Sequence, residues 1–568
     1  MGLTNSVSIL GPNPFSDGLL PFNDIPLSSE SPEARDRAKQ WLFTCKTSHE
    51  QCGLDFNSEH FIPTRLLKLD SDKVHVVIKS ELIDRPDYVA LSYCWGTGQS
   101  LTTTKATLHE NKAGILFDRI PKTLLDAINV TKSLGFRYLW VDALCILQND
   151  SDDWLRESTQ MEKVYGNAQV VLAAAVATSS SEGFLRNRLP YTDGVCTVSS
   201  WGQTTPPFTI KYRLACSDSI SPAPLDTRAW AFQERTLARR YLMFGEKEMK
   251  WVCKEAYLRE AFPDDMKRHD QSNLLLFNNV FKAAKGASVE EQQTSLTKQW
   301  RRWVVPEYTK RNLTKRSDKL VALSAVASRF QSVHRGTYLA GLWKEDLLRE
   351  LLWKASDNAD GPEPDFTPSW SWASVRGGVE YGLEFEDDVY LAEVIDSSVV
   401  SATSNPFGSV SEGIVKLRGK MFQGRLFQQD DGIATHNWRL ECDLLPRGRL
   451  GTPYLDMDIA PCSTNPQNGE TGTEVPAMRI SAGASKDLGQ NTINQANEPP
   501  RQPKKLQVWV VPLTLCSSNV GTNVCGLLLG QIRPDAFQRL GMTSEWYTDR
   551  RDFDGPWKNL DRREIILL

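Results

Sequence analysis

Trp154, Glu157 and Met161 stand at i, i+3 and i+7, with Ser158 and Tyr165 beside them, in the segment DWLRESTQMEKVYGNAQVVLAAA. That spacing sets a carboxylate on one helix face among an indole, a thioether and a phenol. Desolvation in such company raises a carboxyl pKa. A carboxylate beside a flat aromatic can hold a ribose hydroxyl and stabilise an oxocarbenium-like centre as a glycosidic bond breaks. The competing reading is a structural Glu157 paired with Arg156, Lys163 or Arg235. A second carboxylate, Asp142, interrupts the apolar run Leu139 to Ile146, which reads as a buried strand. A charge there must cap a loop, pair with an arginine or point into a cleft. Gly96 and Gly98 follow the apolar run Tyr88 to Tyr93. Glycines at a strand end let backbone N–H groups approach a phosphate, and they equally serve a plain turn. Arg228 heads the segment RAWAFQER. It is a candidate phosphate clamp, or a salt-bridge partner for Asp142 or Glu157. The candidate catalytic groups are thus Glu157 and Asp142, and the candidate ligand contacts are Gly96, Gly98, Trp154 and Arg228.

Cysteine offers rival chemistries. Cys94 or Cys145 could act as nucleophile with His109 as base, although Cys on a strand is ordinarily a buried, inert thiol. Cys45-x3-His49-x2-Cys52, with His60 downstream, supplies zinc-type donors. That spacing is not the standard finger, and it leaves the fourth ligand open. Trp370-Ser371-Trp372 and the pair Trp343 and Trp353 read as packing residues.

The elements that must position these groups follow from periodicity. Between Tyr88 and Ala175, three apolar runs too short for helices alternate with two segments of helical period. That pattern predicts an α/β core with a parallel sheet and crossover helices. Pro121-Lys122-Thr123 starts a helix whose Leu124, Leu125, Ile128 and Leu134 share a face, with Gly135 as its C-cap. Upstream, FIPTRLLKLD and KVHVVIKS read as an entry strand pair. Downstream, RAWAFQERTL reads as helix, YLMFG and EMKWVC as strands, and the stretch from Ser288 to Trp353 as helical. After PSWSWAS the pattern turns to alternating strands, which predicts a β-rich C-terminal domain. The expected divisions are a flexible arm over 1–35, an entry segment over 36–87 and the α/β domain over 88–255. A helical region over 256–360 and the β-rich domain over 361–568 follow. A polar stretch over about 457–505 reads as a disordered insertion.

A chain of 568 residues exceeds one core, so several domains are expected. Forty per cent apolar and 24 % charged residues is ordinary globular composition, and a net charge of −4 gives no bulk attraction to nucleic acid. The 11 cysteines are odd in number and scattered. With no apolar signal segment and no run long enough to span a bilayer, the expectation is a cytoplasmic chain with reduced thiols. The start Met1-Gly2-Leu3-Thr4-Asn5-Ser6 fits the N-myristoylation pattern at Gly2, which is short enough to arise by chance. No G-x-x-x-x-G-K-S/T phosphate loop occurs.

Taken in order, SYCWG, LWVDALCI-Q-D and W-x-x-E-x-x-x-M-x-x-V-Y-x-x-A resemble the HET (heterokaryon incompatibility) domain family of filamentous fungi. R-x-W-x-x-Q-E-R (Arg228 to Arg235), YLAGLW with LLW, PSWSWAS and the upstream Pro63-Thr64-Arg65-Leu66 extend the likeness. The resemblance implies non-self recognition, with growth arrest or cell death when incompatible hyphae fuse. It also implies a partner, either another incompatibility protein or a second copy. The core is in turn distantly similar to TIR domains. VALSYCWG resembles their first strand, GFRYLWVDALCI their second, and D-W-x-x-E the helix that bears their catalytic glutamate. That likeness implies NAD as substrate, cleavage at the nicotinamide–ribose bond, and Glu157 as the catalytic carboxylate. Two other readings stand beside it: a non-enzymatic signalling or interaction module, and a repurposed protein of a fungal secondary-metabolite pathway with a pocket lined by Cys94, Asp142 and tryptophans.

Overall fold

A computed structural model describes residues 6–10, 23–53, 61–98, 101–190, 193–198, 208–213, 222–262, 288–356, 367–382, 389–428, 438–441, 449–450, 452–455, 505–518, 521–547 and 560–568. Gly2, His60 and all but the last residue of the polar stretch 457–505 lie outside the described residues. The chain forms two compact units, Met1–Gly286 and Ala287–Leu568.

The first unit is built on a nine-stranded sheet. Its strands are β2 (Arg65–Leu69), β3 (Lys73–Ile78), β4 (Val89–Ser92), β5 (Ile115–Leu116), β6 (Tyr138–Trp140), β7 (Val170–Ala173), β10 (Arg240–Phe244), β11 (Met249–Cys253) and β12 (Tyr257–Arg259). A separate three-stranded sheet joins β1 (Ser6–Leu10), β8 (Asp193–Val198) and β9 (Phe208–Arg213). Helices α1 (Pro32–Ser48) and α2 (Glu50–Gly53) precede β2. The order of the large sheet is β12-β11-β10-β7-β4-β6-β2-β3-β5. Every residue of β4 and β7 is buried, as continuous apolar runs in a sheet covered on both faces must be.

The parallel sheet expected from the sequence is found in the four central strands, β6-β4-β7-β10. The flanks are antiparallel, and for the hairpins within them the reason is connection length. Three residues separate β2 from β3, and four separate β10 from β11. Links that short can only reverse the chain, whereas a parallel crossover needs a dozen residues or more. The chain crosses from β4 to β6 on one side through α3 (Leu108–Ala113) and α4 (Lys122–Ser133). It then returns to β7 on the other side of β4 through α5 (Asp142–Cys145), α6 (Ser151–Ser158) and α7 (Met161–Asn167). The last crossover, to β10, ends in α8 (Ala229–Leu237). Strand order therefore reverses between β4 and β7. In doubly wound sheets, ligands bind at the carboxyl ends of the strands beside such a reversal.

Leu139 to Ile146 is not one strand. It ends at Trp140, and Asp142 opens the single turn α5. The side chain decides this, because Asp142 Oδ1 accepts from the Ala143 N–H at 2.7 Å and so satisfies a donor at the helix start. α4 runs as expected, with Leu124, Ala127, Ile128 and Val130 buried and Gly135 beyond its end at φ 87°.

The second unit opens with helices Val289–Gln299, Val305–Thr309 and Val321–His334, the first two joined by a π turn at Trp300–Val304. Trp300 packs edge-on against Trp343 and Tyr338, with Phe330 beside them. The helix expected through LLRELLWKAS stops at Glu350, and Trp353–Ala355 is a strand. The Arg539 guanidinium donates to the Leu351 and Trp353 carbonyls and lies over the Trp353 ring, so those carbonyls need no helical partner. An eleven-stranded sheet from Val389–Tyr390 to Arg562–Leu567 forms the β-rich part, around Leu426, Val508, Val510 and Leu528.

Candidate functional site at the strand ends

The carboxyl ends of β4 and β6 carry a linked set of polar groups. Ser92, the last residue of β4, donates from its hydroxyl to the buried Glu234 carboxylate on α8. Trp95 follows three residues on, and its indole N–H donates to Asp142 Oδ2 at 2.9 Å. Arg228 sits immediately before α8. Burial works against its charge, but Glu234, Asp142, Cys94 and Tyr165 together outweigh burial and hold the guanidinium above its ordinary pKa. At Asp142 burial prevails. It pushes the carboxyl up, against the pull of Arg228, of hydrogen bonds from Trp95 and the Ala143 N–H, and of the nearby Tyr93 hydroxyl. Asp142, Arg228, Trp95, Trp154 and Trp230 all keep part of their surface open to solvent. Trp154 and Trp230 meet edge to face at 6.2 Å, bringing α6 against α8.

This arrangement presents a half-buried carboxylate of raised pKa, a guanidinium and flat aromatic surfaces. Those are the groups that hold a sugar hydroxyl, a phosphate and a heteroaromatic ring. The raised pKa also has a cost in stability. The fold favours the protonated carboxyl, so this group's contribution is full below the unfolded value of about 4 and is lost as pH rises through the folded value. The chain is therefore expected to lose stability through this group between about pH 4 and pH 7, and Asp142→Asn to remove that part of the pH dependence. Denaturant unfolding of both proteins at the two pH values measures this.

Glu157 lies elsewhere. It is 1 % exposed and faces Arg65, whose guanidinium stands 3.8 Å from its Oε1 and pairs directly with Asp153. Neither Glu157 oxygen makes a hydrogen bond to the described residues. Burial raises its pKa, opposed by the Thr64 hydroxyl and the Arg65 charge. Arg65 also donates to the Cys145 carbonyl at 2.6 Å, and Asp153 accepts from the Leu147 N–H at 2.8 Å. The partners expected from the sequence are taken otherwise: Arg156 binds Asp153, and Arg235 binds Asp226 at 3.3 Å. Trp154 and Glu157 do not act as one surface either. An i, i+3 pair is offset by about 60° around the helix, enough to turn the indole toward α8 and the carboxylate toward β2.

Gly96 takes φ 80°, and a Cβ there would stand 2.5 Å from Ser179 Cβ. Gly98 has open space, and the next described helix is α3, which starts at Leu108. The glycines thus shape a turn packed on 178–179 rather than the head of a helix. Gly96→Ala is expected to destabilise the chain by about 1–3 kcal/mol through the strained φ alone, read from its unfolding midpoint. Cys145 is fully buried and its thiol is pushed up to about 12, and burial raises Cys94 as well. His109 is exposed on α3. None of these groups is set up as an activated nucleophile and base. Cys45, His49 and Cys52 do come together, and Cys253 at the end of β11 joins them.

The sequence reading passed over Ser92 and Glu234, and it did not identify Arg65 as the partner of Glu157. The signals were present in SYCWG, in Q-E-R and in P-T-R-L, but none of them says which charge meets which.

A doubly wound α/β domain with a polar, aromatic cluster at its strand ends is thus defined. Its residues 88–234 match the family described as "Heterokaryon incompatibility protein (HET)". Ser92, Trp95, Asp142, Glu157, Arg228 and Glu234 fall inside that match, and Arg65 falls before it. No curated protein and no solved structure matches the chain.

Proposed function

We propose that the HET domain is the signalling part of a protein of fungal non-self recognition, and that it acts by cleaving NAD. The observation that carries this reading is the half-buried Asp142, bonded to the Trp95 indole and drawn by the charge of Arg228, with the Trp154–Trp230 pair joining α6 to the helix that Arg228 precedes. The reversal of strand order beside it supports a nucleotide at this crevice. In the proposed step water adds to ribose C1′ as the C1′–N bond breaks, nicotinamide leaves neutral with the bonding pair, and the added water gives up one proton to solvent. Ionised Asp142 stabilises the positive charge that develops on the ribose, and Arg228 holds the pyrophosphate. The cytosol supplies the substrate, and a partner chain or a second copy supplies control. The test is NAD consumption by the purified full chain, with nicotinamide and ADP-ribose as products. If no nicotinamide forms at any enzyme concentration, with or without crowding agents that drive self-association, the enzymatic reading fails.

One observation favours a second reading, a non-enzymatic module. The glutamate nominated by likeness to TIR domains, Glu157, is buried against Arg65. In that case signalling rests on docking alone, and cell death survives Asp142→Asn with NAD levels unchanged.

A further inference from the structure

We propose that Cys45, His49, Cys52 and Cys253 hold one zinc ion that closes the first unit. The four donors come from three elements and the residue that caps one of them. Cys45 lies in the last turns of α1, His49 caps that helix with extended backbone, Cys52 lies in the short helix α2, and Cys253 ends β11. Their ligating atoms all lie within 4.8 Å of one another. Zinc with Zn–S of about 2.3 Å and Zn–N of about 2.0 Å sets tetrahedral donor separations of about 3.5–3.8 Å. His49 Nδ1 stands 3.3 Å from Cys253 Sγ and 4.0 Å from Cys52 Sγ, on either side of that range.

The surroundings point to a negatively charged centre. Arg240 is 3 % exposed, and no carboxylate among the described residues pairs with it. Its Nε donates to Cys45 Sγ at 3.1 Å, and its remaining bonds go to the Cys52 carbonyl and to Gln169. A buried guanidinium needs an anion. Three thiolates, a neutral imidazole and Zn²⁺ carry one net negative charge beside it. The Ala256 N–H donates to Cys253 Sγ at 3.3 Å, the kind of outer bond that orients a metal-bound sulfur. A disulfide fits these residues less well. It would use two of three thiols, leave a third beside the buried arginine and give the imidazole no role; all three cysteines are free thiols here.

The three cysteines are 0–1 % exposed, and four protein donors leave no open position, so the ion is structural rather than catalytic. It ties chain lying before residue 88 to chain lying after residue 234, so the clasp fastens the two flanks of the HET segment together.

The test is metal analysis of the full chain purified under reducing conditions. About one zinc per chain is expected, and cobalt in its place should give the thiolate charge-transfer and d–d bands of a tetrahedral site with three sulfur donors and one nitrogen. Cys253→Ser should lose the metal. His49→Cys should keep about one zinc and alter the cobalt spectrum. Arg240→Gln, which leaves every ligand in place, should weaken zinc against a competing chelator by about 10–100-fold. A folded, reduced wild-type chain that binds neither zinc nor cobalt overturns the proposal, and so does Cys253→Ser retaining zinc like the wild type. Should Cys253→Ser be insoluble, the wild-type and His49→Cys measurements decide by themselves.

Discussion

If the chain cleaves NAD as proposed, Asp142→Asn is expected to lower NAD consumption by the purified chain about 10²–10⁴-fold, and Glu157→Gln to leave it within about tenfold. The difference rests on access. Asp142 keeps solvent-exposed surface beside Arg228 and Trp95, so a ribose can reach it. Glu157 is 1 % exposed behind Arg65, and a group that touches no substrate acts only by positioning others. Asparagine keeps one of the two hydrogen bonds from Trp95 and the Ala143 N–H, because its amide nitrogen cannot accept, and it removes the negative charge that answers an oxocarbenium centre. Arg228→Gln separates binding from chemistry, because losing a phosphate contact raises KM more than it lowers kcat. The opposite pattern, with Glu157→Gln inactive and Asp142→Asn active, would place the chemistry on α6. It would also require α6 and β2 to part during turnover.

The second large effect falls on stability. Arg65→Met is expected to cost about 3–5 kcal/mol, because it leaves Asp153 and Glu157 buried without their common counter-ion. The loss should show as a lower midpoint in denaturant unfolding with little change in slope. It should shrink as pH falls, since Glu157, already pushed up by burial, then takes a proton. Adding Asp153→Asn and Glu157→Gln to Arg65→Met should recover a large part of the loss, because no buried charge then remains unpaired. If Arg65→Met alone is within about 1 kcal/mol of wild type, the triad carries no structural weight, and the buried reading of Glu157 falls with it.

Most of the elements were legible in the residues. Apolar runs of four to six residues gave β4 and β7, the entry pair gave the β2–β3 hairpin, and Pro121 with Gly135 bounded α4. Two readings failed for local reasons that periodicity does not record. The Asp142 side chain captures the Ala143 N–H and turns a strand into a helix start, and Arg539 takes the carbonyls that a continued helix beyond Glu350 would have used. In both cases one polar side chain, rather than the hydrophobic pattern, settled the backbone.

By itself the sequence determined the kind of domain between Tyr88 and Glu234, and it named Asp142, Glu157 and Arg228 as the charges worth following. Only the tertiary structure decided their surroundings. It left Asp142 half-buried with Arg228 and Trp95, closed Glu157 behind an arginine from β2, and brought Cys253 to Cys45, His49 and Cys52 across some two hundred residues of chain. The physical reason is common to all three. Periodicity fixes which face of an element a residue occupies, but the charge and solvation of a group depend on what that face meets. Those contacts are made between strands and helices far apart in the chain.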